Sequence, residues 1–563
     1  MKKIKLKRKI YDLPIEVLLT ITSAGLYSLA FPSIISDTGY PIFATFALIP
    51  LLIAINRTRW AYSSLLGIVW GLSFFTMFNY WLTTFHPYSI LLVTVLRSLQ
   101  LVLLFPIFKI GYHLPKKNRV LFQASLYPLY MFIVQQGFLG YPYGNLSSAF
   151  SSWLPLIQMS SITGQWAIGF VMIIPQLFVA NYFVKKFKNK RSNIAPDKDS
   201  FFIFLSDNSM LIIMYSILML INLVFGFYTI EWYNKIEPSS EIKIATIQHN
   251  SDTWLGGYNQ YKKNYISMRD LTIKAMKEEP DMVVWSETAF VPSVEWHTNY
   301  PSSQLTSTLV SDFVTFGKSL PVPLITGNPE GILKDGCTEP FDEEGNWNRD
   351  DYNSVILFEE GKLKDTYKKQ HLVPFTEYFP YGNTFPKFNK FLNSNDFHFW
   401  LPGHESKIFN HNGLDFSTSI CFEDIFPDIT RNFAKKGSSL LLNLSNDSWS
   451  KSVSAEMQHL YLGTYRSIEN RRATVKSTNS GITCLILPTG EVVDPMEPFV
   501  ADYNIYNAPV YTQEDFGLSF YTKHGDWFVY LIYLLDVTYI VYKILEKTIA
   551  KNKITKNRKP ISE

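Results

Sequence analysis

Cysteine is scarce. Three occur in 563 residues, Cys337, Cys421 and Cys484, an odd number that excludes a disulfide framework and marks out a free thiol. Charge is scarce as well: charged residues make up 18% of the chain against 16% aromatics, too apolar for an ordinary soluble enzyme. The net charge of +4 comes with no basic stripe interleaved with aromatics in the soluble part, which excludes a nucleic-acid partner. The histidines near the notable motifs lack ligand spacing such as His-x-x-x-His, so neither a metal site nor a cofactor is expected. There are no internal repeats.

What is present is unevenly spread. Residues 14–231 are mostly long apolar runs, whereas 240–520 read as a soluble globular domain. A run of about 20 apolar residues spans a bilayer. Candidate spans are Pro14–Ser33, Pro41–Ile55 (the shortest), Ala61–Phe85, Tyr88–Phe108, Val120–Phe138, Ser161–Val184 and Met210–Ile230, with an eighth, Trp527–Val541, after the domain. The first has no small-residue cleavage site and leads into a continuing series, so it is not read as a cleaved signal peptide. Loops after the first, third and fifth spans have no Lys or Arg. Basic residues sit before the first span (Lys2 to Lys9), after the second (Arg57, Arg59), fourth (Lys109 to Arg119) and sixth (Lys185 to Arg191), and in the tail from Lys543 to Lys559. The positive-inside rule then puts both termini in the cytoplasm and residues 232–523 outside it. The expected organisation is a polytopic α-helical membrane bundle over 1–231, an extracytoplasmic α/β domain over 232–523, and a last span with a basic tail over 524–563. Arg97 and Asp536 lie inside spans, where a charge is expected to face the bundle interior.

Within the α/β domain, strands are predicted at Lys243–Gln248, Met282–Trp285, Pro323–Thr326, Ser354–Phe358, Phe416–Cys421, Leu440–Leu444, Thr474–Lys476 and Ile482–Leu487. Helices are predicted at Asn259–Lys277 and Ala455–Arg471, the latter with Met457, Leu460, Tyr461, Tyr465 and Ile468 on one face. Lys334–Asp351 reads as a polar surface loop. Alternating strands and helices point to a layered domain around a buried sheet.

Three segments carry a functional side chain where a strand should stop. Val283-Val284-Trp285-Ser286-Glu287 delivers Glu287, Tyr367-Lys368-Lys369-Gln370-His371 delivers a lysine, and Ser417-Thr418-Ser419-Ile420-Cys421 delivers the thiol. Alone, each has a bland reading: a loop carboxylate, a surface lysine pair, a buried inert cysteine. Together they fit one mechanism, in which a base takes the thiol proton and the thiolate attacks a carbonyl. An ammonium and the Phe422 amide then meet the oxyanion. Period two in an extended segment puts Lys368 and Lys369 on opposite faces, so only one of them can enter the site and the other is left to solvent.

These segments resemble the carbon–nitrogen hydrolase (nitrilase) superfamily, whose Glu–Lys–Cys triad has this order. Over nearly the full length, the chain resembles the apolipoprotein N-acyltransferase family. The likeness rests on Tyr367-x-Lys369-x-His371-Leu-Val-Pro-Phe-x-Glu377, Cys421-x-Glu423, Asn446-Asp447-x-Trp449, Gln458-His459-Leu460, Arg466-x-Ile468-Glu469-Asn470-x-Arg472 and Thr478-Asn479-x-Gly481. In the membrane half it rests on Gly140-Tyr141-Pro142-Tyr143 and Gly164-Gln165-Trp166-Ala167-Ile168-Gly169-Phe170. The chain departs from the family pattern at Ser286, Thr376, Phe422 and Ser450-Lys451, none of which is a triad group.

The resemblance implies a nitrilase-like α-β-β-α sandwich and a ping-pong acyl transfer at the outer face of a bacterial inner membrane. The donor would be a membrane phospholipid and the acceptor the α-amine of a diacylglyceryl-cysteine apolipoprotein. Cys421 would be the nucleophile, Glu287 the base and Lys369 the oxyanion partner, with Glu377, Glu423 and Phe422 in support. Phe385–Phe399 is read as either a membrane-facing lid or ordinary core. The rival readings are a membrane-tethered amidase or nitrilase-type hydrolase using the same triad, and a non-catalytic membrane scaffold.

Overall fold

A bilayer offers backbone amides no partner outside their own chain, so apolar stretches that enter it fold as helices. The computed structural model describes residues 12–556 apart from 86–87, 138, 192–199, 344, 346, 383 and 388–398. Its N-terminal half comprises α1 (Asp12–Leu29), α2 (Ile49–Arg57), α3 (Trp60–Phe78), α4 (Ser89–Tyr112), α5 (Lys116–Ile133), α6 (Trp166–Arg191) and α7 (Ser209–Lys235), with shorter turns between them. Among the described residues, each apolar stretch singled out from the sequence is helical over most of its length. The second is broken into a Pro41–Thr45 turn and the nine-residue α2, because Pro50 starts a new helix more readily than it continues an old one. By length and composition, α3, α4, α6, α7 and the closing helix can cross a membrane, whereas α1 and the Pro41–Arg57 pair are shorter. Lys116, Lys117 and Arg119 at the start of α5 leave it outside that set.

The α/β domain contains two six-stranded sheets. The strands are β1 (Ser240–Gln248), β2 (Met282–Trp285), β3 (Leu324–Gly327), β4 (Glu330–Leu333), β5 (Arg349–Tyr352), β6 (Ser354–Glu359), β7 (Lys362–Lys368), β8 (Phe409–His411), β9 (Leu414–Ile420), β10 (Leu440–Ser445), β11 (Ala473–Thr478), β12 (Cys484–Ile486), β13 (Val492–Val493) and β14 (Asp502–Val510). One sheet runs β14-β1-β2-β3-β6-β7 and the other β13-β12-β11-β10-β9-β8. Neighbouring parallel strands need a crossover, and helices supply it: α8 (Tyr258–Ala275) joins β1 to β2, α9 (Gln304–Ser319) β2 to β3, α10 (Pro427–Lys435) β9 to β10, and α11 (Val453–Asn470) β10 to β11.

Period two along the strands divides the core. Ala245, Ile247, Val283, Trp285, Ile356 and Phe358 pack on Tyr265 and Met268 of α8 and Phe313 and Phe316 of α9. The alternate residues Ile244, Met282, Val284, Val355 and Leu357 face the second sheet. Ser477 Oγ of β11 donates across the layers to the Val284 carbonyl at 3.1 Å. Helix, sheet, sheet and helix make the α-β-β-α sandwich. The stretch read as a polar loop is instead bounded by the β4–β5 hairpin, whose intermediate exposure gave no clean alternation to find.

Helix α11 holds the sandwich to the bundle. Beyond its apolar face, its polar residues are also buried, because the bundle's loops supply their partners. Gln458 Nε2 donates to the carbonyls of Pro32 (2.7 Å) and Phe78 (3.0 Å), and Tyr465 donates to the Ser147 carbonyl at 2.6 Å. The closing helix α12 (Trp527–Lys556) returns beside α5, where Ser125 Oγ donates to Asp536 at 2.7 Å. Arg97 is buried inside the bundle, donating to Gln100 at 2.7 Å. Most of the stretch 385–399 lies outside the described residues; Phe385, at its start, is exposed.

Candidate active site

Glu287, Lys369 and Cys421 each lie just past a strand end, the first two on one sheet and the third on the other. A strand fixes its backbone, and the break that follows aims the next side chain into the seam between the sheets. Cys421 opens a short helical turn, Cys421–Ile425, in the left-handed conformation (φ 49°), so its side chain leaves the strand face and the first-turn amides, Phe422 among them, point outward without helical acceptors. Asn443 Nδ2 holds the Cys421 carbonyl at 3.1 Å. Thr288, next to Glu287, is also left-handed (φ 46°), and β3 ends against it at Gly327. A Cβ on Gly327 would lie 2.3 Å from the Thr288 nitrogen, so only glycine fits beside the base.

Lys369 joins the two carboxylates. Its Nζ donates to Glu287 Oε1 at 3.1 Å and to Glu377 Oε1 at 2.8 Å, with the lysine side chain 1% exposed. Asn353 Nδ2 donates to the same two oxygens at 2.8 and 3.1 Å. The outer oxygens are fixed by backbone, Glu287 Oε2 by the Asn446 amide at 3.0 Å and Glu377 Oε2 by the Val373 amide at 2.7 Å. Burial raises the Glu287 pKa against the pull of Lys369, which suits a group that must accept a proton. Burial opposes the Lys369 charge, but Glu287 and Glu377 outweigh it and hold the ammonium well above its usual range. Burial, then Glu287 and Asp447, push the Cys421 thiol far up while Lys369 pulls it back, so Cys421 rests as a neutral thiol.

Glu423 is two residues past the nucleophile, yet its carboxylate turns away to the segment that carries Lys369. It accepts from the amides of Gln370 (2.6 Å), His371 (3.0 Å) and Ile420 (2.8 Å) and from the Tyr367 hydroxyl (2.9 Å). Tyr367 and Lys369 are buried together, as period two requires. Lys368 is not simply solvated: it pairs with Glu330 at 3.4 Å and lies over the Tyr352 ring at 4.3 Å, because the β4–β5 hairpin covers that face. Phe422 stacks on Tyr143 of the membrane half at 6.5 Å. Trp449, Trp81, Phe85 and Trp254 continue this aromatic wall at 5.4–5.9 Å between neighbouring rings.

Behind Cys421 is a charged cluster. His459 bridges Asp424 (2.7 Å) and Asp447 (3.3 Å), and Lys476 donates to Asp424 (2.8 Å) and Asn443 (2.6 Å). The Asn446-Asp447 and Gln458-His459 pairs and the two carboxylates Glu423 and Asp424 just past the thiol were visible in the sequence; Asn353 and Lys476 carried no signal there. Burial opposes the His459 charge, but Asp424, then Asp447, raise its pKa to about 9, above the ordinary 6.5. The folded state therefore binds this proton more tightly than the unfolded chain. The stability it contributes is complete below about pH 6.5 and lost as pH rises through about 9. The thermal midpoint of the purified protein should fall over that window, and His459→Gln should flatten the fall; an unchanged profile in the variant would contradict the assignment. All three cysteines are free thiols. With Cys484 buried in β12 and Cys337 in a loop, replacing both by alanine should leave the Cys421 chemistry intact, as read by thiol labelling of the double variant.

The arrangement can do one kind of chemistry: a thiol attacks a carbonyl, a buried carboxylate handles the protons, and an ammonium with a free amide meets the oxyanion. Residues 243–505 match the carbon–nitrogen hydrolase family and residues 23–177 the apolipoprotein N-acyltransferase N-terminal domain. Apolipoprotein N-acyltransferase 1 of Treponema denticola is 32% identical over 98% of this chain and 100% of its own length. The protein of the same name in Treponema pallidum is 35% identical over 88% of this chain and 90% of its own. Among solved structures, an amidase of the nitrilase superfamily from Nesterenkonia aligns over 49% of this chain and 93% of its own with 16% identity and a TM-score of 0.34. The matches to the two Treponema proteins run through the membrane half and the sandwich alike, so the chain belongs to the apolipoprotein N-acyltransferase family.

Proposed function

We propose that the protein moves a fatty acyl chain from a membrane phospholipid, through a thioester on Cys421, to the α-amine of a diacylglyceryl-cysteine apolipoprotein. The observation that carries this reading is the aromatic contact beside Cys421 between the two halves of the chain, where Phe422 stacks on Tyr143 and Trp449 packs on Trp81, both partners being rings of the membrane half. Glu287 takes the thiol proton and the thiolate attacks the ester carbonyl. Lys369 and the Phe422 amide meet the oxyanion, and Glu287 returns the proton to the departing lysophospholipid alkoxide. The amine then attacks the thioester and leaves as an amide, restoring the thiol. Glu377 and Asn353 hold Glu287 and Lys369 in register, and Glu423 holds the backbone that presents Lys369.

The test is two-stage. Phospholipid alone should label Cys421 with a hydroxylamine-sensitive acyl group, which a diacylglyceryl peptide then removes as its amide. Release of free fatty acid with no acyl-peptide would instead indicate a hydrolase.

We place the sandwich on the outer side of the inner membrane. Support comes from the alternation of basic and non-basic loops, with both chain ends on the basic side. A reporter active only in the cytoplasm, fused after Tyr233, should be silent; strong activity there would overturn the topology and the lipoprotein reading with it.

A further inference from the structure

One carboxylate beside the nucleophile has no use in the first half-reaction. The Cys421 thiol donates to Asp447 Oδ1 at 3.9 Å, and an anion at that distance disfavours the thiolate that must form. The fold nevertheless keeps Asp447 ionised. His459 donates to it at 3.3 Å and Ser445 Oγ donates to Oδ2 at 2.9 Å; Asp424 favours the charge of His459, and the nearby Lys476 ammonium adds its own pull on Asp447. Glu456, buried nearby, is pushed far up by its own burial and by Asp447, so it carries a proton and leaves the negative charge on Asp447. A group maintained against the interest of one step belongs to another.

We propose that Asp447 Oδ1 is the docking site for the cationic α-amine of the acceptor, an inference that rests on the acyl-transfer reading above. The geometry follows from the thioester itself. An attacking nitrogen stands about 3–3.5 Å from the acyl carbon, which is bonded to Cys421 Sγ, so a carboxylate flanking Sγ is within hydrogen-bond reach of it. Acylation also removes the S–H that Asp447 Oδ1 accepts in the free enzyme. That oxygen therefore loses a donor at the moment when an ammonium can supply one, and the site selects for amine only after the thioester exists. Glu287 lies across the same turn, tied to the neighbouring Asn446 amide at 3.0 Å, and has given its proton to the first leaving group. The protons balance: of the three on the ammonium, one remains on the amide, one passes through Glu287 to the thiolate as the C–S bond breaks, and one goes to water.

The experiment separates the half-reactions in wild-type protein and Asp447→Asn, using phospholipid as donor and either a diacylglyceryl peptide or hydroxylamine, which is uncharged at neutral pH, as acceptor. Asp447→Asn should form the thioester at least as fast as wild type, since the anion that opposes the thiolate is gone, and should release it to hydroxylamine at close to the wild-type rate. Transfer to the peptide amine should fall by between about tenfold and a hundredfold, the worth of a hydrogen bond to a charged group, through a raised acceptor KM. Equal losses with both acceptors, loss of thioester formation, or no loss at all would each overturn the proposal. A second measurement needs no variant. A diacylglyceryl peptide guanidinylated at its α-amine should inhibit peptide transfer by wild-type enzyme more strongly than its N-acetylated counterpart, and equal inhibition would overturn the proposal. Failure of wild-type protein to acylate Cys421 from phospholipid would instead overturn the acyl-transfer reading.

Discussion

Lys369→Ala should form the acyl-enzyme at least about a hundredfold more slowly than wild type, the effect of losing one oxyanion donor, while Lys368→Ala stays within about threefold. The neighbours differ in surroundings. Lys369 is sealed between Glu287 and Glu377, whereas Lys368 lies 30% exposed at the rim beside Glu330. Removing Lys369 takes away the charge that offsets two carboxylates in a water-poor site and leaves both uncompensated. The measurement is the single-turnover rate of Cys421 acylation at matched folded protein, with thermal midpoints recorded alongside. A severe defect in Lys368→Ala with Lys369→Ala near wild type would mean that the register of the β7 end is wrong by one residue.

Glu423→Ala should lower stability by roughly 3 kcal/mol or more, since it leaves three backbone amides and the Tyr367 hydroxyl without their acceptor in a buried pocket. For a domain of this size that is about 5 °C or more in thermal midpoint. Glu423→Gln should recover little of it, because an amide NH2 would face donors where the carboxylate presents only acceptors. Acylation should fall in both variants, since the amides of Gln370 and His371 adjoin Lys369. A Glu423→Gln protein as stable as wild type would show that the carboxylate is not what holds this segment. Burial raises the Glu423 pKa while the backbone donors favour its charged form, so the strap is strongest when ionised.

Glu287 was legible because the apolar run Met282–Trp285 stops just before it, and Cys421 because an alternating run ends at it. The polar strand β7, which ends just before Lys369, was not among the predicted strands, so that lysine stood out only through the motif around it. The membrane half was legible through the length of its apolar runs and the charge of its loops. The sequence was less informative at β4–β5, where half-exposed strands do not alternate, and at Asn353, a polar residue between two strands like any other. The expectation that Lys368 reaches solvent fell short for the same reason: period two decides which side of a strand a residue faces, not what covers that side.

Local sequence, then, determined the long apolar helices, eight of the strands, the helices α8 and α11 and which loops carry charge, since these follow from periodicity and the hydrophobic effect within a few neighbouring residues; it did not mark β7, β8, β13, β14, α9 or α10. Only the tertiary structure decided that Glu423 serves Lys369 rather than the thiol, that His459 of α11 and Lys476 of β11 keep Asp447 charged beside Cys421, and that the polar face of α11 is buried against the bundle. Those partners lie on separate elements of the sandwich and the bundle. Hydrogen bonds and ion pairs between buried groups act over about 3 Å, and no regularity along the chain encodes which distant residue will arrive at that distance.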